Sequence, residues 1–99
     1  MSLRHDPQTD ALFESILKLG SIEECYAYFE DLCTVKEVRD MGQRLQVAIL
    51  MRGGSSYIAA QQATGASSAT IGRVKRCLDY GAGGYEIILE RMEEDADEA

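Results

Sequence analysis

The stretch TGASSATIGRVKRCL, residues 64–78, carries the decision about the fold. Gly65 is the residue type that takes a left-handed turn without strain, and Ser67 can cap the helix that follows. Ile71, Val74 and Leu78 then recur at the spacing of one helix face. Immediately upstream, YIAAQQAT at 57–64 reads as a short helix opened by Ser55 or Ser56. Two short helices joined by a glycine-containing turn form a helix-turn-helix over about residues 56–79.

The outer face of the second helix points to chemistry. With Ile71 at the centre of the inward face and a step of about 100° per residue, Ala69 falls at about 160°, Arg73 at about 200° and Arg76 at about 140°. Both arginines therefore point away from the core, and Ala69 and Gly72 keep the surface slim between them. A thin helix with outward cations suits the major groove of duplex DNA, which admits one helix and is walled by phosphates. Ser67, Ser68 and Thr70 place hydroxyls at the positive end of this helix, and Lys75 adds a third cation. Ser56 and Tyr57, at the start of the preceding helix, are expected to touch the phosphate backbone. Sequence would be read by Ser68, Ala69, Gly72 and Arg73. The plainer alternative is a solvated basic face near a helix C-terminus, where cations are favoured in any protein.

The charge distribution sharpens the contrast. The 99-residue chain holds seventeen acidic against ten basic residues, yet residues 36–79 carry seven cations and three acids. Residues 86–99 carry seven acids and only Arg91. The acidity is thus concentrated at the C-terminus, and residues 93–99 read as a solvated acidic tail.

Four further helices complete an all-α reading of about six. The first spans about residues 9–19, with Leu12, Phe13, Ile16 and Leu17 on one face and Gly20 as its stop. The Ser21–Glu24 capping box opens the second, whose face is Ile22, Cys25, Tyr26, Phe29, Leu32 and Cys33. The Thr34–Glu37 box opens the third, with Val38, Met41, Leu45, Ala48 and Ile49 inward and Gly53-Gly54 at its end. GAGG at 81–84 breaks the chain before a last helix through Tyr85, Ile88, Leu89 and Met92. Residues 1–8 read as a disordered N-terminus and 9–92 as a single helical domain. The apolar faces of the first three helices exceed what one short chain covers, which predicts a homodimer.

Other functions find little support. No apolar run is long enough to span a bilayer and the N-terminus MSLRHDPQTD has no apolar segment, so a cytoplasmic address is expected. Cys25, Cys33 and Cys77 are odd in number and form no C-x-x-C pair, and His5 is the single histidine. We expect no metal site, no cofactor and no enzymatic activity, because no nucleophile–base pair is visible and GAGGYE lacks the ending of a phosphate loop.

LCTVKEVRDMGQRLQVAILMRGG at 32–54, followed by TGASSATIGRVKRCLDYG at 64–81, resembles the Trp repressor family, and most closely its YerC/YecD branch. The similarity runs from about residue 9 to residue 92. It implies an intertwined all-helical homodimer with one helix-turn-helix head per subunit. In tryptophan-sensing members the indole lies between two arginines, with a threonine nearby; Arg44, Arg73 and Thr34 match those positions. The glycine after the recognition-helix arginine is Val74 here, and the serine that helps hold the ligand's amino group is Cys77. The resemblance therefore implies an effector pocket of Thr34, Arg44, Arg73, Val74 and Cys77 that has gained bulk and lost a polar partner, so tryptophan is not expected as corepressor. Arg44 instead reads as a surface cation or a phosphate contact.

The expected function is a homodimeric, sequence-specific regulator of transcription, a repressor, whose partner is double-stranded DNA. The alternative is a helical protein–protein interaction module that uses the same dimer scaffold without binding DNA.

Overall fold

The structure, a computed structural model, describes residues 3–98, with side chains through Ala96. It has six helices: α1 (Pro7–Ile16), α2 (Ile22–Leu32), α3 (Val35–Arg52), α4 (Tyr57–Thr64), α5 (Ser68–Tyr80) and α6 (Gly84–Glu98). Among the described residues there is no strand. The chain divides into two compact units, Met1–Val38 and Arg39–Ala99.

In the first unit, α1 begins earlier than its apolar spacing indicates. Asp6 caps it by accepting the Thr9 N–H at 2.9 Å, and Pro7 supplies the fixed φ suited to a first helical position. His5 Nδ1 lies 3.3 Å from Asp10 Oδ1. The segment expected to be disordered thus holds the start of a helix. The far end tightens into i→i−3 bonds, Lys18 N–H to the Ser15 carbonyl and Leu19 N–H to that of Ile16, both 3.1 Å, so the helix closes before Gly20. Gly20 instead donates its N–H to Glu24 Oε1 at 2.7 Å, while the Glu24 N–H reaches Ser21 Oγ at 3.1 Å. Ser15 Oγ donates to the Leu12 carbonyl and also stands 2.6 Å from the Tyr28 hydroxyl. A serine has one proton, so Tyr28 is the donor of the second bond. Neither α1 nor α2 buries a single residue.

The second unit holds the core. Val47 and Ala48 of α3, Ala60 of α4, Ala66 of the turn, Ile71 and Val74 of α5 and Leu89 of α6 form one buried cluster. Leu45, Ile49, Met51, Leu78 and Tyr85 pack around it. Three of the seven are alanines, which let the short helices approach closely. Val47 is a member that the sequence reading of α3 leaves out, while Met41, expected inward, is exposed. The buried pair Val47–Ala48 shows that the α3 face turned toward this cluster is rotated from the stripe Met41–Leu45–Ala48. Gln43 Nε2 donates to the Thr64 carbonyl at 3.2 Å, which fastens α3 to the end of α4.

Past Met92, α6 continues to Glu98, so the acidic residues from Glu93 onward extend a helix where a free tail was expected. Nothing in EEDADE breaks a helix, and the Arg52 side chain meets two of α6's carboxylates: Nη1 lies 3.4 Å from Glu86 Oε2 and Nε 3.4 Å from Glu93 Oε1.

Candidate nucleic-acid interface

The helix-turn-helix is assembled from local bonds that the sequence encodes. Ser56 caps α4 by accepting the Ala59 N–H at 3.1 Å. Gly65 ends α4 in the left-handed conformation, φ +73°, and its N–H reaches the Gln61 carbonyl. Thr64 then bridges the turn: its hydroxyl donates to the Ala60 carbonyl at 2.8 Å and accepts the Ala66 N–H at 3.1 Å. Ala66 drops into the core behind it. Ser67 caps α5, accepting the Thr70 N–H and donating to Thr70 Oγ1, both at 3.1 Å.

These bonds engage three of the predicted contact residues, Ser56, Ser67 and Thr70. Ser56 and Ser67 are structural caps as well as surface hydroxyls; Ser67 spends its one proton on Thr70. Ser68 and Ala69 are exposed on the first turn of α5, and Thr70 and Gly72 are half-buried. Tyr57 is exposed at the start of α4. On α5, Ile71 and Val74 are each 1% exposed, while Arg73 and Arg76 stand in solvent. The inward and outward faces are therefore those the helical spacing predicts.

Gly72 carries separate information. A Cβ added there would meet nothing within 4 Å among the described residues, so none of them requires a glycine. A mid-helix glycine costs about 1 kcal/mol relative to alanine, and here that cost has no intramolecular return.

Lys75 is placed differently from the two arginines. It is half-buried, and its Nζ lies 3.1 Å from Asp79 Oδ1, one turn along the same helix. Four residues after Ile71, it falls about 40° from the centre of the inward face, which explains why it flanks the core instead of joining the outer stripe. Arg44 is half-buried on α3.

Of the residues assigned to an effector pocket, Arg44, Arg73, Val74 and Cys77 lie in the unit Arg39–Ala99, and Thr34 lies in the other. Val74 is committed to the core cluster. Cys77 is exposed, a free thiol. Thr34 is engaged locally: its hydroxyl accepts the Glu37 N–H at 3.1 Å and its own N–H donates to Glu37 Oε1 at 2.8 Å. The Thr34 N–H bond to the carboxylate, followed by a side-chain hydrogen bond from Thr34 to the same carboxylate, holds the Glu37 carboxyl below its ordinary range. Among the described residues, no group of three His, Cys, Asp or Glu is arranged to hold a metal ion, and no helix is long and apolar enough to cross a membrane.

Two residues that shape the head escape a reading by periodicity. Gln43 ties α3 to the turn through a carbonyl, which no side-chain pattern reveals. Arg52 was countable only as one more cation of the basic segment; Glu86 and Glu93, two turns apart on one side of α6, are the signal that pairs with it.

The Trp repressor protein family matches residues 7–93. The uncharacterized protein YerC of Bacillus subtilis (strain 168) is 52% identical over 87 residues, which span 88% of this chain and 84% of that protein. A crystal structure from Staphylococcus aureus superposes with a TM-score of 0.87 at 48% identity, over 90% of this chain and 89% of the other. The crystal structure of a TrpR like protein from Eubacterium eligens superposes with a TM-score of 0.86 at 41% identity, over 89% and 91% of the two chains.

Proposed function

This chain belongs to the Trp repressor family, and we propose that it regulates transcription, as a repressor, by binding double-stranded DNA as a homodimer in the cytoplasm. The observation that carries this reading is the division of α5. Ile71 and Val74 anchor one face in the core, and the opposite face presents Arg73 and Arg76 with the small residues Ala69 and Gly72 beside them. A helix made slim at a stability cost suits an occupant that must come close, and outward cations suit a polyanion.

One head spans too few base pairs for useful discrimination, so two heads reaching half-sites about one helical turn, roughly 34 Å, apart are the physical expectation. The exposed apolar faces of α1 and α2 supply the material for such a dimer. Tryptophan has no part in this reading. Val74 fills core space beside Arg73, and Cys77 lacks the hydroxyl that would hold an amino group.

Selection of duplexes from a random pool, followed by a salt titration of the selected sequence, tests the proposal. Each phosphate contact steepens the fall of log affinity with log salt by about 0.9, so a multi-contact interface gives a steep line. The paired variant Arg73→Ala with Arg76→Ala should flatten that line and lose affinity without lowering the melting temperature. Failure to bind any duplex at low salt would favour the protein–protein interaction module instead.

A further inference from the structure

Tyr80 closes the outer stripe of α5. Nine residues after Ile71, it falls at about 180° from the centre of the inward face, between the directions of Arg73 and Arg76. It is 86% exposed, more than any other large apolar or aromatic side chain among the described residues. A tyrosine left this bare in the last turn of a helix gives nothing to the core, and none of the described residues covers it.

The surroundings keep it accessible to an anion. Asp79, its neighbour and the only acid on α5, pairs with Lys75 at 3.1 Å, which offsets its charge beside Tyr80. The chain then leaves in GAGG, residues 81–84, where the largest side chain is a methyl. Gly81 is required by the exit itself: its N–H reaches the Cys77 carbonyl at 2.9 Å, and a Cβ would collide with that same oxygen. No bulk therefore stands between Tyr80 and a body lying against the Arg73–Arg76 face.

On the reading that α5 enters the major groove, we infer that Tyr80 is a further DNA contact, its hydroxyl donating to a phosphate at the flank of each half-site. The first turns of a recognition helix meet base edges, and its far end swings back toward the sugar–phosphate wall. A phenol suits that position, because it offers one donor on a ring with only two side-chain torsions to immobilise. Being neutral, it adds affinity and register without releasing counterions.

That neutrality defines the experiment. Binding of the selected duplex and of a mixed-sequence duplex is followed by fluorescence anisotropy from 50 to 300 mM salt, in about five steps, for the full chain, Tyr80→Phe, Tyr80→Ala and Arg76→Ala. Tyr80→Phe removes only the donor, and should weaken binding to both duplexes about fivefold to tenfold with the salt slope unchanged. Arg76→Ala should instead reduce the slope by about one. Tyr80→Phe binding like the unaltered chain overturns the inference whatever Tyr80→Ala does, since an aromatic contact alone is not a phosphate bond. A loss confined to the selected duplex also overturns it, because that would be base reading. If the unaltered chain binds neither duplex, the DNA-binding reading and this inference fall together. If the chain binds and the arginine variants weaken it while Tyr80→Phe does not, the inference alone falls.

Discussion

Arg52, the last residue of α3, reaches Glu93 of α6 with its Nε 3.4 Å from the carboxylate. The same guanidinium donates to the Glu86 carbonyl at 3.3 Å, so one cation from the basic middle of the chain gathers the acidic end. This arrangement joins two elements of the head's own unit through charge, beside the apolar contact that Leu89 makes with the core.

Replacing Arg52 by Ala should lower stability by about 1 kcal/mol, the range for a partly exposed network of two ion pairs and a hydrogen bond. Urea unfolding should show a lower midpoint with an unchanged slope. The difference from the unaltered chain should shrink in 1 M salt, where the Debye length is about 3 Å against about 10 Å at 0.1 M. An equal loss at both salt concentrations would assign the effect to packing of the arginine stem.

Assembly is the second expectation. Leu17 is 84%, Ile22 71% and Tyr26 72% exposed in a unit with no buried residue among those described, an apolar surface suited to association. The melting temperature should rise with protein concentration, as it does wherever folding and association are linked. Sedimentation should give twice the chain mass at micromolar concentration, and a folded monomer there would exclude the dimer.

The helix caps make an acid-sensitivity prediction. Hydrogen bonds from Thr34 hold the Glu37 carboxyl below its ordinary value, and those from Thr9 do the same for Asp6. A carboxylate with a depressed folded-state pKa contributes stability above its unfolded pKa and loses it as pH falls through the folded one. Glu37→Gln should therefore lower the melting temperature near neutrality, and the gap should close as pH drops below about 4.5. A constant gap from pH 7 to pH 3 would show that the cap does not depend on ionisation.

The effector prediction follows from Val74 and Cys77. A ligand amino group buried without its hydrogen-bond partner costs about 1–3 kcal/mol, and Val74 already fills core space beside Arg73. Calorimetry of tryptophan into the purified protein should show no saturable heat at micromolar concentration, and operator affinity should be the same with and without it. A saturable micromolar heat would mean that the pocket accommodates the indole after all.

What the sequence makes legible here is local. Ser21, Thr34, Ser56, Ser67 and Gly65 all act where their chemistry places them, since a cap needs only residues three or four apart. The inward stripe of α5 is equally plain, because Ile71, Val74 and Leu78 obey one helical period. Asp6 was missed as a cap because Pro7 and Gln8 interrupt the apolar pattern used to find the helix, although Asp-Pro before Thr9 is a start signal. The α3 face was misassigned at Val47 since several apolar residues there fit more than one stripe, and only tertiary packing selects among them. Lys75 counts with Arg73 and Arg76 by charge alone, and its place beside Asp79 separates it from them.

The open space in front of Gly72 also bears on how such a head changes over generations. Ser68 and Ala69 stand in solvent and the space at Gly72 is unfilled, while the capping and core duties fall on Ser67, Thr70, Ile71 and Val74. On the proposed DNA-binding reading, the positions suited to choosing a target are thus not the positions that build the helix. On that reading, a lineage exchanging the former one at a time changes its binding site without first surviving an unfolded intermediate.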